Sequence, residues 1–260
     1  MMQETSDYNL VVYINPSRIV LVLGSLVIGV AAAHTLVHLV PYLFGISSDK
    51  MFDLQRFCDM GEEANMPTYV STFNLLLAGG LLALIAHYES SRQRKPDWHW
   101  WGLAIGFVLM SFDEAAMIHE GLVGATLTRY FGHGQGIMYY TWYKLYIPIV
   151  ILIGLLYVPF LLRLPLRYSL RLLLAGVLFL SGAIGFEMLE SYLVSHGLRG
   201  RSVSRLFEET GEMLGVVLAI HVFSLYLADN DVALLLRFRQ QSRSYDACLL
   251  PAENEGRSPS

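Results

Sequence analysis

Residues 19–44, IVLVLGSLVIGVAAAHTLVHLVPYLF, contain no Asp, Glu, Lys or Arg. A helix needs about 20 apolar residues to cross a hydrocarbon core, so this stretch is long enough to span it. Five further stretches are long enough or nearly so: 69–88, 100–121, about 143–162, 172–194 and 207–228. The whole chain agrees with that reading. Its 260 residues are 54% apolar and only 15% charged, against about 25% charged in soluble domains, and the mean hydropathy is +0.46. A water-soluble globule is excluded. The formal charge of −4, from 22 acids and 18 Lys and Arg, leaves no basic surface for nucleic acid. The expected fold is all-α: a polytopic integral membrane protein built as a bundle of six transmembrane helices over 19–228, with tails at 1–18 and 229–260.

The flanks of the spans carry their own signals. Trp98, Trp100 and Trp101 before the third span, and Tyr139, Tyr140, Trp142, Tyr143 and Tyr146 at the fourth, read as interfacial belts. The first ten residues, MMQETSDYNL, carry acids where a signal peptide carries bases, so the first span is expected to stay in the protein. Alternating loops divide the 18 basic residues into 11 on the side of the termini and 7 on the other. The positive-inside rule then places both termini in the cytoplasm. Cys58 and Cys248 fall on opposite sides, and no disulfide framework or CxxC knuckle exists. The 45–68 loop has room for a short helix around Met51 to Met60, and 231–242 (DVALLLRFRQQS) is expected to continue the last helix amphipathically. The end, PAENEGRSPS, is expected to be disordered. Glycines such as Gly79, Gly80, Gly106, Gly154, Gly176, Gly182, Gly185 and Gly215 read as close helix contacts.

Ionisable groups inside membrane spans are rare and functional by default, and here they gather at one end. The first span carries His34 and His38, the third Asp113, Glu114, His119 and Glu120, the fifth Glu187 and Glu190, and the sixth Glu208, Glu209 and Glu212. The second begins after Glu62, Glu63 and Asn65 and carries Asn74. At 1.5 Å per residue, Asp113 lies roughly 12–14 Å below the outer end of its helix, Glu187 about 10 Å and Glu212 about 8 Å. These depths fit one layer in the outer half of the bilayer.

Helical spacing sorts the set. His34 with His38 and Glu208 with Glu212 are i,i+4, and Glu187 with Glu190 are i,i+3, so each pair presents two groups on one face. Asp113 and Glu120 share a face, whereas Glu114 and His119 lie about 100° and 120° to either side. One straight helix therefore does not aim all four at one point. The plainer readings are satisfied core histidines for His34 and His38, a helix start favoured by the dipole for Glu208 and Glu209, and a polar turn for Glu62, Glu63 and Asn65 before Pro67.

In order along the chain, EANMPTYVS, SFDEAAMIHE, GFEMLES and FEETGEMLGVVL resemble a group of uncharacterised bacterial multi-span membrane proteins with N-x-P-T, D-E-x4-H-E and E-E-x2-E-M-x-G motifs. The likeness covers roughly residues 60–228. It implies that Asn65, Pro67, Thr68, Asp113, Glu114, His119, Glu120, Glu187, Glu208, Glu209 and Glu212 belong to the group's pattern, and it implies a bacterial inner membrane. It supplies no activity. A looser analogy is to membrane zinc hydrolases of the alkaline ceramidase and adiponectin-receptor type, which hold zinc with three histidines. Here His34, His38 and His119 would correspond, although those proteins have seven spans and fewer carboxylates at the site.

The favoured expectation is a divalent metal, iron, manganese or zinc, held by Asp113, Glu114, His119, Glu187 and Glu212. Glu208, Glu209 and His38 stand next, and His34, Glu120, Glu190 and Asn65 are further candidates. A site at that depth suits a lipid or another hydrophobic small molecule, acted on by a metal-dependent hydrolase or oxidoreductase. The alternatives are a proton- or cation-coupled transporter and a non-catalytic sensor or assembly partner. Oligomeric state is left open.

Overall fold

A computed structural model describes residues 8–46 and 51–238. Two units are distinguished. In the smaller one, strand β1 (Tyr8–Val12) pairs antiparallel with β2 (Leu234–Phe238), Tyr8 opposite Phe238 and Val12 opposite Leu234. The helical continuation expected over 231–242 is therefore not formed at Leu234–Phe238. Asp231 adopts φ 54°, which breaks the helical path, and the Leu234–Phe238 backbone finds its hydrogen bonds in the ladder instead. Residues 239–242, Cys248 and the PAENEGRSPS segment lie outside the described residues.

The larger unit, Ile14–Val232, is helical. Helix α1 (Pro16–Phe44) opens where the Asn15 side chain accepts the Arg18 N–H at 3.1 Å and closes on Gly45 at φ 61°. The short α2 (Phe52–Cys58) matches the helix expected in the following loop. Asn65 caps α3 (Met66–Gln93) by accepting the Thr68 N–H at 3.2 Å, with Pro67 in the first turn. Asp97 caps α4 (Trp98–Ala116) through the His99 and Trp100 N–H groups. A π-helical turn (Ile118–Gly124) and α5 (Ala125–Phe131) follow, bent by 68° from α4. Helix α6 (Tyr143–Arg163) comes next, then α7 (Leu166–Leu180), a π-helical segment (Ser181–Phe186) and α8 (Glu187–Ser195), these last three forming one span. Helix α9 (Arg201–Asp229) ends the unit.

Five helices are long and apolar enough to cross a membrane, or six if the bent pair of α4 with the Ile118–Phe131 segment counts as one span. The protein is thus an all-α polytopic membrane protein in its main unit. Helix α9 packs against α1, α3 and α7. Its Ile220, Val222, Phe223 and Leu227 are buried beside Leu82 and Ile85 of α3 and Val27 of α1. Leu152, Leu155 and Leu156 on α6 are exposed instead, as lipid-facing residues should be.

The glycines divide. A Cβ on Gly215 would lie 2.7 Å from the Phe179 nitrogen and 2.9 Å from the Ala175 oxygen, and one on Gly182 would lie 2.6 Å from the Glu208 oxygen. Gly79 faces Val108 as closely. Gly80, Gly106, Gly154, Gly176 and Gly185 meet nothing within 4 Å, so the close contacts expected at those positions are not made. A Gly215→Ala variant is expected to lose about 1–3 kcal/mol through overpacking of α7 on α9, and Gly80→Ala to lose nothing. Unfolding of the two variants side by side in detergent checks this.

Candidate functional site

The decisive local feature is the end of α4. Met117 sits at φ 53°, ψ 45°, a left-handed conformation that costs a residue with a side chain of order 1–3 kcal/mol. It interrupts what the sequence suggests is one continuous helix. Asp113 and His119, which a straight helix would hold apart, meet across this break with Nδ1 2.8 Å from Oδ2. Opposite an ionised carboxylate, which only accepts, Nδ1 carries the hydrogen and the Nε2 lone pair is left free. That Nε2 lies 4.0 Å from Glu120 Oε1.

A second irregularity prepares the facing wall. The π-helical segment Ser181–Phe186 runs directly into Glu187, shifting the register of α8 relative to α7, as such bulges do near functional sites. Both Glu187 and Glu190 are buried. The Trp142 indole N–H donates to Glu187 Oε1. Glu190 accepts from Arg205 Nε at 2.9 Å, from Arg201 at 3.3 Å and from the Tyr140 hydroxyl at 2.9 Å. Burial, and then the charge of Glu190, raises the Tyr140 hydroxyl well above its usual value.

These contacts correct the interfacial-belt reading of the fourth span's approach. Trp142 and Tyr143 are buried, and the Tyr143 hydroxyl reaches Ser191 at 2.8 Å, so the aromatics supply donors to the site. Trp100 likewise enters the core against Phe160 and Tyr226, while Trp98 is exposed.

A cavity of about 700 Å³ opens between these elements. Six glutamates line it, Glu63, Glu120, Glu187, Glu190, Glu208 and Glu209, together with Arg129, His133 and Arg205. Glu208 is buried, and its Oε2 has no partner, nor has Asp113 Oδ1. Burial, and then the charge of Glu120, raises the Glu63 carboxyl. Glu114 and Glu212 are outside the lining but within charge range of Glu63 and Glu120. His133 stacks on Tyr139 with ring centroids 4.5 Å apart.

Other candidates gather elsewhere. His34, His38 and Asp59 form a cluster in which His34 Nδ1 lies 3.4 Å from Asp59 Oδ1 and His38 Nε2 lies 3.1 Å from Oδ2. Among the described residues this is the only group of three or more His, Cys, Asp or Glu residues whose ligand atoms all lie within 4.8 Å of one another. His119 is not part of it, so the three-histidine grouping suggested by analogy is not formed. Asn65 acts as a brace, its amide donating to the Asp59 and Arg56 carbonyls at 2.6 and 3.1 Å. Sequence reasoning missed Asp59, Arg205 and Trp142 as members of these clusters, and Glu63 it read as a plain turn. Only the donors at the starts of helices α6 and α9, Trp142 just before the one and Arg205 in the opening turns of the other, could have been a signal.

Arg205 bears most on stability. It holds the buried Glu190 and also donates to the Gly61 carbonyl at 2.8 Å. Arg205→Met is expected to cost about 3–5 kcal/mol, because it strips a partner from a buried charge. Arg201, half exposed, should cost under about 1 kcal/mol. Denaturant unfolding of the two variants in detergent separates them.

No curated protein and no solved structure matches this chain. One family model does, over residues 20–227, a range that takes in every helix described above except the first four residues of α1 and the last two of α9. The chain belongs to the family described as Domain of unknown function (DUF8692).

Proposed function

We propose that the acid-lined cavity binds a divalent transition metal, iron, manganese or zinc, and that the protein acts there on a membrane lipid or another hydrophobic molecule. The observation that carries this reading is the charge imbalance of the lining. Six glutamates face one space, and Arg205 is already committed to Glu190, which leaves Arg129 and His133 as the other basic side chains of the lining. An ionised carboxylate at membrane depth costs about 2.5–3.5 kcal/mol on insertion scales. A dication offsets several such costs at once.

His119 is the natural nitrogen ligand. Its Nδ1–H is held by Asp113, the arrangement in which a carboxylate fixes the tautomer and orients the other ring nitrogen toward a metal. Asp113 would then orient a ligand, with His119 Nε2, Glu120, Glu63, Glu208, Glu209 and Glu187 as candidate donors and Glu114 and Glu212 in support; among the described residues no three of these bring their ligand atoms within 4.8 Å of one another, so binding has to draw them together. Carboxylates mixed with imidazole suit iron, manganese and zinc, and helical bundles build such centres from inward-facing Glu and His. When bound, the metal supplies an activated water or oxygen species.

The depth of the site favours a lipid. Glu208 and Glu209 stand seven and eight residues into α9, which begins at Arg201, about 10–12 Å along its axis. By the positive-inside argument this end faces outward, across a bacterial inner membrane. Transport gains less support, since the buried acid of the far end, Glu89, is held by Arg92 and Tyr226.

Elemental analysis of detergent-purified protein tests the reading. Wild type is expected to carry one or two equivalents of metal in the cavity, lost in Glu208→Gln, Glu209→Gln. Equal metal content in both proteins, or none in either, would remove the cavity as a metal centre. Asp113→Asn should retain the cavity ligands but weaken metal binding about 10- to 100-fold, read by competition with a chelator.

A further inference from the structure

We propose that His34, His38 and Asp59 form a second cation site, separate from the acid cavity, that takes one zinc-type dication and ties the loop after α2 to α1. This inference stands independently of the cavity reading.

The geometry is that of a ligand set. His34 Nδ1 lies 3.4 Å from Asp59 Oδ1 and His38 Nε2 3.1 Å from Oδ2, one carboxylate oxygen facing each ring, near the donor–donor separation of about 3.3–3.5 Å around zinc for bonds of 2.0–2.1 Å. His34 and His38 are one helical turn apart on α1, with ring centroids 4.6 Å apart. The tautomer of neutral His34 is set by the Nδ1 side. Its Nε2 lies 3.3 Å from the Ser202 carbonyl and 3.2 Å from the Ser202 hydroxyl. Its Nδ1 accepts the Met60 N–H at 2.9 Å and is therefore bare. A histidine whose far nitrogen is held by a backbone carbonyl is the usual form of a metal ligand.

The Nδ1 that accepts the Met60 N–H also lies 3.4 Å from Asp59 Oδ1. His34 is buried, at 1% exposure, and water does not separate such a pair cheaply. A cation bound by both atoms would bring the two acceptors together. A simple ion pair would need only His38 and Asp59, and His34 adds a third ligand atom within 4.8 Å of the other two.

Access and consequence both follow from neighbouring residues. A second cavity of about 360 Å³, lined by Asp59, Gly61, Glu62, Arg201, Ser202 and Arg205, opens beside Asp59. The two arginines there are paired with Glu190, which limits their repulsion of an incoming cation. Met60 and Gly61, the next residues after Asp59, line the acid cavity. An ion on the trio therefore anchors one wall of the larger site to α1. It also takes the Nδ1 lone pair now used by the Met60 N–H.

The test is metal titration of the chelator-stripped full-length protein in detergent, with Zn²⁺ followed by calorimetry and Co²⁺ by visible absorption. The expected result is one equivalent that persists in Glu208→Gln, Glu209→Gln and binds at least about tenfold more weakly in both His38→Ala and Asp59→Asn. Co²⁺ at this site should give the intense visible bands of a four-coordinate ion, absent from His38→Ala. His38 is half-buried and its side-chain hydrogen bond goes to Asp59, and helicity with a monodisperse elution profile verifies that each variant is folded. Unchanged binding in folded His38→Ala and Asp59→Asn would overturn the proposal, as would loss of every equivalent in Glu208→Gln, Glu209→Gln. An equivalent lost in His38→Ala beside no cavity metal in the wild type would uphold the trio while removing the cavity reading.

Discussion

The structure depends on the cost of holding carboxylates away from water inside an apolar bundle. Each buried acid needs a donor, a counter-charge or a shared space, and each finds one. Glu89 has Arg92 and Tyr226, Glu190 has Arg201, Arg205 and Tyr140, Glu187 has Trp142, and Asp113 has His119. Glu63, Glu120, Glu208 and Glu209 meet in one cavity, with Glu114 and Glu212 outside its lining. Pairing makes Glu89 and Glu190 structural. The cavity group, held together without enough positive charge, is where a ligand changes the energetics most.

Backbone irregularity is placed where this chemistry gathers. The left-handed Met117 lies between Asp113 and His119, and the π-helical segment Ser181–Phe186 delivers Glu187. Regular helices would set these groups at fixed rotations of about 100° per residue. The two breaks release them from that rule, at a local cost offset by the packing around α9. Gly182 and Gly215 let α9 approach the α7 end of that wall closely enough to bring Glu208 and Glu212 beside it.

Loops between helices then complete both clusters. The short connection after α2 supplies Asp59 to the histidines of α1 and, one and two residues later, Met60 and Gly61 to the acid cavity. Arg205 joins the same connection to α8 by bonding the Gly61 carbonyl and Glu190 together. The two sites are chemically different, one mostly imidazole and one mostly carboxylate, yet they share this segment as a wall.

Much of this was legible in the amino-acid sequence. Runs of apolar residues of the right length determine the spans, since a backbone in lipid must satisfy its own hydrogen bonds and only a helix does so within one segment. The confinement of acids and imidazoles to one end of those spans also follows from residue counting, because helical rise is constant. What could not be read were the partners. The i,i+4 rule paired His34 with His38 correctly but gave no hint of Asp59, which arrives from a loop. The straight-helix assumption separated Asp113 from His119, and aromatic residues assigned to the membrane interface became donors to Glu187 and Glu190. Sequence alone thus determined which segments form the spanning helices and how far along each helix its charges stand, because those depend on local composition and a fixed rise per residue. Tertiary structure alone decided which charges meet, because that depends on two backbone breaks and on contacts between residues far apart in the chain.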